Sequence, residues 1–155
     1  MQIEWKLSTF DELSTSELYA ILQLRQHVFV VEQQCIYQEC DGRDKDAHHL
    51  VGWHDRRGQP EPVAYLRLLH PEKSGGSPAI GRVVTHPDHR GKGLGREIMT
   101  RCLRTIEIYY PNSPVIISAQ QYLTHFYLSL GFVVSSEGYQ EDGIPHISMT
   151  RYPQV

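Results

Sequence analysis

The residues best suited to chemistry run from Val84 to Glu97, VTHPDHRGKGLGRE, where Gly91, Gly93 and Gly95 alternate with Lys92 and Leu94 between Arg90 and Arg96. Glycine lets a backbone approach a ligand without a Cβ in the way. Counting excludes two common phosphate loops. A Walker loop needs Ser or Thr after its lysine, but Gly93 follows Lys92. A dinucleotide fingerprint started at Gly91 meets Arg96 where its third glycine belongs, and one started at Gly93 meets Ile98. What remains is a run of backbone N–H groups at a strand-to-helix junction. Such a run forms a concave donor nest, and the helix dipole favours an anion there. Arg90, Lys92 and Arg96 add charge for more than one phosphate, so a pyrophosphate is the natural occupant.

The elements that must position this loop follow from periodicity. Ile3, Trp5 and Leu7 alternate with polar residues and predict a first strand. Ser14 and Glu17 fit a capping box, and Leu18, Ile21, Leu22, Val28 and Phe29 continue a helix to about Val31. Residues 33–47 are polar, acidic and aperiodic, which predicts a long loop with room for a short helix. Segments 49–54 and 63–69 predict a hairpin around Arg57-Gly58, and 79–85 a further strand after a Gly/Ser/Pro connection. Leu94, Ile98, Cys102 and Ile106 mark one face of a helix ending near Pro111. A strand at 115–119, a helix at 121–130 stopped by Gly131, and an antiparallel pair at 132–135 and 144–149 complete the chain. The predicted class is α/β, a single domain over 1–155.

The chain has 155 residues and a formal net charge of -3. That length buries about two-thirds of the unfolded surface without help from disulfides. The charge argues against a nucleic-acid partner, which needs a broad basic face. The charged N-terminus lacks the apolar core of a signal peptide, and no apolar run approaches the roughly 18 residues of a spanning helix. Cys35, Cys40 and Cys102 are too few for a disulfide framework and predict free thiols in a cytoplasmic protein. Despite nine histidines, no C-x-x-C or H-E-x-x-H pair occurs, so no metal is expected. No G-x-S-x-G elbow suggests a serine nucleophile.

The run V-x-x-P-x-x-R-G-x-G-x-G-R, from Val84 to Arg96, resembles the acetyl-CoA motif of the GNAT acetyltransferases. A second family motif, a strand, a helix and a Tyr shortly before Gly-Phe, is similar to VIISAQQYLTHFYLSLGF, in which Tyr127 lies four residues before Gly131. FVVEQ at 29–33, YQECDGRDKD at 37–46, Ala119-Gln120 and EDGIPH at 141–146 resemble the ElaA-like branch of that family, across nearly the whole chain.

The resemblance implies a mixed, mostly antiparallel sheet of about six to seven strands flanked by helices. Its two central strands, 79–85 and 115–119, would splay apart at a bulge. It implies acetyl-CoA as cosubstrate, with the backbone of Val83, Val84 and Thr85 along the pantetheine arm. Arg90, Gly91, Lys92, Gly93, Leu94, Gly95 and Arg96 would hold the pyrophosphate, and Gln120 and Tyr127 would complete the cofactor site. Direct transfer to an amine in a ternary complex needs a neutral amine, an oxyanion donor and a proton for the leaving thiolate. The resemblance casts the freed Val84 N–H as oxyanion donor and Tyr127 as the acid. Glu32 is the first choice of base, with His49, His86 and His146 or a water relay as alternatives.

The acceptor would be a small-molecule amine or a protein or peptide amine, with a homodimer compatible with the family. The acidic residues Glu32, Glu39, Asp41, Asp44 and Asp46, together with Glu141 and Asp142, would draw a cationic amine if they flank the entrance. The reading from another functional class is a non-catalytic acyl-CoA sensor, since the glycine loop by itself only binds.

Overall fold

The computed structural model describes residues 1–154. Its elements run β1 (Glu4–Thr9), α1 (Thr15–Gln26), β2 (Ala47–Arg56), β3 (Gln59–Leu69), β4 (Ala79–Thr85), α2 (Leu94–Tyr109), β5 (Val115–Gln120), α3 (Thr124–Leu128), β6 (Val133–Val134), β7 (Tyr139–Glu141) and β8 (Ile144–Arg151). The eight strands form one sheet in the order β1-β2-β3-β4-β5-β8-β6, with β7 also paired to β8. Every pairing is antiparallel except β4 with β5.

Local chemistry sets the helix ends. Ser14 accepts from Glu17 N at 3.0 Å, and Glu17 accepts from Ser14 N at 2.8 Å, so the expected capping box starts α1. The helix then widens into a π-helical turn from His27 to Glu32. The face Leu94, Ile98, Cys102 and Ile106 packs α2 onto one side of the sheet, against Leu66, Leu68, Ile80 and Ile117. Ile21, Leu24 and Val28 of α1 and its extension cover Val51, Tyr65 and Val84 on the other side.

The secondary structure departs from the sequence-based expectations in two places. The helix predicted for 121–130 is only a 3₁₀ turn over Gln121–Leu123 and the short α3, ended by Gly131 at φ 92°. The sheet has eight strands, one more than the upper expectation. The extra strand is β7, which forms a hairpin with β8 through Asp142 (φ 52°) and Gly143 (φ 78°). Asp-Gly with both residues at positive φ is the type I′ signature that fits the twist of a two-residue hairpin.

The acidic loop 33–46 is tied down by arginines of the first helix and the sheet. Fully buried Arg25 donates to both carboxylate oxygens of Glu39 (3.1 and 3.0 Å) and to Asp44 (2.7 Å). Arg67 holds Asp41 with two 2.9 Å hydrogen bonds and reaches Asp44 at 3.1 Å. Arg82 pairs with Glu39 at 2.6 Å and with Asp41 at 3.3 Å, and stacks over Tyr37. Three cations thus meet three carboxylates. From the sequence, the loop would draw a cationic amine if it flanked the entrance. Glu39, Asp41 and Asp44 instead turn that charge inward and neutralise it, and Asp46 lies 3.8 Å from Lys73.

This network carries a pH dependence. Burial by itself would raise the Asp41 and Asp44 carboxyls, but hydrogen bonds from Arg67 and Arg25 respectively outweigh it and hold both below their ordinary range. Carboxyls more acidic when folded than unfolded stabilise the fold above the unfolded pKa and lose that contribution as pH falls through the folded value. The urea midpoint is therefore expected to fall steeply as pH drops below about 4. The same titration of Arg25→Met should start lower and fall less; parallel curves would count against the network as the cause.

Candidate functional site

The site begins at a fault in the sheet. In β3–β4 the register Tyr65↔Val84 is followed by Arg67↔Gly81, so Leu66 faces two residues, and Arg82 adopts φ 54°. This β-bulge turns β4 away from β5. The two strands pair only at Ala79↔Ile116 and Ile80↔Ile117 and then diverge. A cleft of about 540 Å³ opens between them, floored by Val83, Val84 and Ala119 and bordered by Tyr127 and the glycine loop.

Beyond the bulge the ladder is regular again: Ala64 faces Thr85, Tyr65 faces Val84, and His86 N donates to Val63 O at 2.8 Å. Successive residues of a strand send their polar groups to opposite edges. The backbone of Val84 therefore points to β3, while that of Val83 and Thr85 points into the cleft. Val84 is buried among Val28, Tyr65 and Trp53. The expected N–H donor at Val84 is thus one residue out of phase with the gap, because the bulge shifts the alternation within 79–85.

At the wide end of the cleft, Gly91 (φ 79°) and Gly93 (φ 77°) take left-handed conformations, and a Cβ on either would meet nothing within 4 Å. Their role is conformational: they turn successive N–H groups toward one side at the start of α2, where Gly93 is the N-cap. Gly95 sits inside the first turn, where a Cβ would lie 3.7 Å from Phe126. The three basic residues divide. Arg90 lines the cleft, whereas Lys92 and Arg96 do not. Arg96 turns toward α3, donating to Ser129 Oγ at 2.7 Å with its guanidinium over Phe126.

Tyr127 is 5% exposed and faces the cleft beside Phe126 and Phe132. Burial pushes its phenol up to about 12. Among the described residues its hydroxyl has no hydrogen-bond partner, so its proton remains free for an occupant.

The candidate bases fare differently. Glu32 is gripped by Arg90 through two hydrogen bonds of 3.1 and 2.6 Å, and the Arg90 hydrogen bond lowers its pKa. That makes Glu32 a weaker base and a resident counter-ion of the loop arginine. His49 is fully buried, accepting from the Tyr65 hydroxyl at Nδ1 and donating to Asp44 O from Nε2. His86 lies outside the cleft with Nε2 3.2 Å from Glu61. His146 lines the cleft. Its Nδ1 donates to Ile144 O at 2.7 Å, which directs Nε2 toward Glu141 at 3.2 Å.

Two contacts not anticipated from the sequence bridge the cleft. Gln33 and Gln120 exchange amide hydrogen bonds at 3.3 Å, and the Cys35 thiol donates to Asp142 O at 2.9 Å. The bulge at Arg82 also went unplaced, although Gly81 followed by Arg82 inside a strand was a usable signal for it. Among the described residues, no group of three or more His, Cys, Asp or Glu side chains is arranged to hold a metal ion. No helix among them is long and apolar enough to cross a membrane.

A mixed sheet split between a bulged strand and its parallel neighbour, with a glycine loop entering a helix at the split, is the architecture of an acyl-CoA-dependent transferase fold. Residues 14–152 match the acetyltransferase (GNAT) domain model, and the chain belongs to that family. It is 45% identical over 151 residues to protein ElaA of Escherichia coli K12, covering 96% of each chain. It is 42% identical over 149 residues to a UPF0039 protein of Synechocystis, covering 96% of this chain and 95% of that one. Among solved structures, an acyl-CoA N-acyltransferase from Pseudomonas aeruginosa superposes with a TM-score of 0.89 at 47% identity, covering 97% of this chain and 99% of that one.

Gly93→Ala tests whether the loop's left-handed turn is intrinsic to the fold. The methyl has room but costs about 1–2 kcal/mol in that conformation, so the thermal midpoint should fall by about 2–8 °C. An unchanged midpoint would show that the loop relaxes elsewhere.

Proposed function

We propose that the chain is an acetyl-CoA-dependent N-acetyltransferase that transfers the acetyl group directly to an amine in a ternary complex. The observation that carries this reading is an unpartnered tyrosine hydroxyl in the cleft where β4 and β5 part. The residues present fit the cosubstrate. Gly91 to Gly95 offer backbone donors and the α2 N-terminus to a pyrophosphate, and Arg90 lies beside them. Val83 and Thr85 offer strand-like N–H and C=O groups to an amide-containing arm. A solved aminoglycoside 6′-N-acetyltransferase in complex with coenzyme A shares the fold at 11% identity and a TM-score of 0.67.

When bound, the thioester supplies an activated acetyl group. The Val83 N–H, rather than that of Val84, donates to the thioester oxygen as negative charge builds there. His146, whose Nδ1–H is held by the Ile144 carbonyl, accepts at Nε2 the proton the amine must shed, and the Glu141 carboxylate beside Nε2 stabilises the imidazolium so formed. As the C–N bond forms and the C–S bond breaks, Tyr127 donates its proton to the departing sulfur and is later reprotonated from solvent. Its high pKa keeps it a phenol across the neutral range. Glu32 keeps Arg90 in place rather than taking part in proton transfer.

Tyr127→Phe should lower kcat in a CoA-release assay by about 10²–10⁴-fold, with KM for acetyl-CoA within a few-fold of the parent. Unchanged kcat would remove the acid role. Tight acetyl-CoA binding without CoA release across a broad amine panel would favour the non-catalytic sensor.

A further inference from the structure

The cleft continues through the sheet. On the face away from α2 lies a second cavity of about 630 Å³, which shares Gly81, Arg82, Ser118 and Glu141 with the first. Its floor is polar: Ser118 and Ser148 are direct cross-strand partners on β5 and β8. Its charges are graded. Next to the cleft stands Glu141, which lines both cavities, with Asp142 beyond it in the first. At the outer end stand Arg43 and Lys73.

Not all of these cations are already spent. Arg82 is neutralised by Glu39 and Asp41. The Arg43 backbone N–H donates to Asp41 Oδ1 at 3.0 Å, but its guanidinium donates to the Lys73 carbonyl, at 2.9 Å, and forms no ion pair with a carboxylate among the described residues. Arg67, 4% exposed and lining the same cavity, has its terminal nitrogens on Asp41 and Asp44, yet its buried Nε has no partner. That nitrogen is enclosed by protein, so the Arg43 guanidinium is the cation open to a ligand.

We infer that this second cavity is the acceptor subsite and that it takes an amine bearing a carboxylate, an amino acid or short peptide with a free C-terminus. This rests on the transferase reading above. The amine enters first, toward Glu141 and His146, and the carboxylate trails beside Arg43. A polyamine would set its second positive charge against the Arg43 guanidinium, and like charges brought together disfavour that partner. A simple alkylamine would leave the Arg43 guanidinium without a carboxylate.

The test uses ω-amino acids of increasing length and triglycine, each paired with its carboxamide. CoA release is followed at saturating acetyl-CoA, and binding to the CoA-loaded protein by calorimetry. At least one acid should exceed its amide about tenfold in kcat/KM and in affinity, as one charge-assisted hydrogen bond supplies. Arg43→Gln should bring that ratio to about one, whereas Arg43→Lys should keep most of it. Acid-selective binding without CoA release would uphold the subsite and overturn the transferase. Turnover with equal acids and amides, or an Arg43→Gln effect that is the same for both, would overturn the subsite alone. No acid preference in either assay overturns it as well.

Discussion

The structure depends on one set of ion pairs, in which Arg25, Arg67 and Arg82 meet Glu39, Asp41 and Asp44. Three elements distant in sequence converge there: the first helix, the central strands and a loop with almost no regular structure. Burying that many charges is tolerable only because each is paired and multiply hydrogen-bonded, and removing one member would strand its partners in a poor solvent. Arg82 is the residue that joins this network to the site. It occupies the left-handed bulge of β4, and the carboxylates that hold its side chain also hold the backbone distortion that separates β4 from β5. A non-glycine residue in that conformation is maintained by its surroundings rather than by its own preference.

The glycine loop represents the opposite strategy. Gly91 and Gly93 need no network to reach positive φ, since glycine visits that region freely. The glycine-loop end of the cleft is thus set by local backbone chemistry, and the bulged end by long-range electrostatics. The two ends meet at Glu32 and Arg90, where a side chain from the end of the helical run touches the loop before α2.

That division also explains what could be read from the sequence. Local signals were legible: the capping box at Ser14, the α2 face from Leu94 to Ile106, and the loop from Arg90 to Arg96 all depend on spacings within a few residues. The fate of the acidic segment was not, because Arg25 and Arg67 lie 14 to 26 positions from the carboxylates they neutralise. A run of acids looks the same in sequence whether it faces water or a buried guanidinium. The phase of β4 failed for a related reason. One extra residue at Arg82 exchanges the edges toward which every later N–H points, so Val83 and Thr85, not Val84, face the gap. β7 escaped because three residues carry too little alternation to register, although the Asp142-Gly143 turn beside it was a usable cue.

The pairing of β4 with β5 has a mechanical consequence. Two residue pairs are all that join the strands formed by the first half of the chain to those formed by the second. The sheet is therefore a book of two leaves, each a self-supporting antiparallel unit, bound along a short spine at Ile80 and Ile117, with α2 crossing the binding. Past the spine, the inner margin of one leaf is an unfinished edge of strand that borders the cleft. Whatever lies along that margin and meets its exposed N–H and C=O groups becomes, for as long as it stays, the missing page of the sheet.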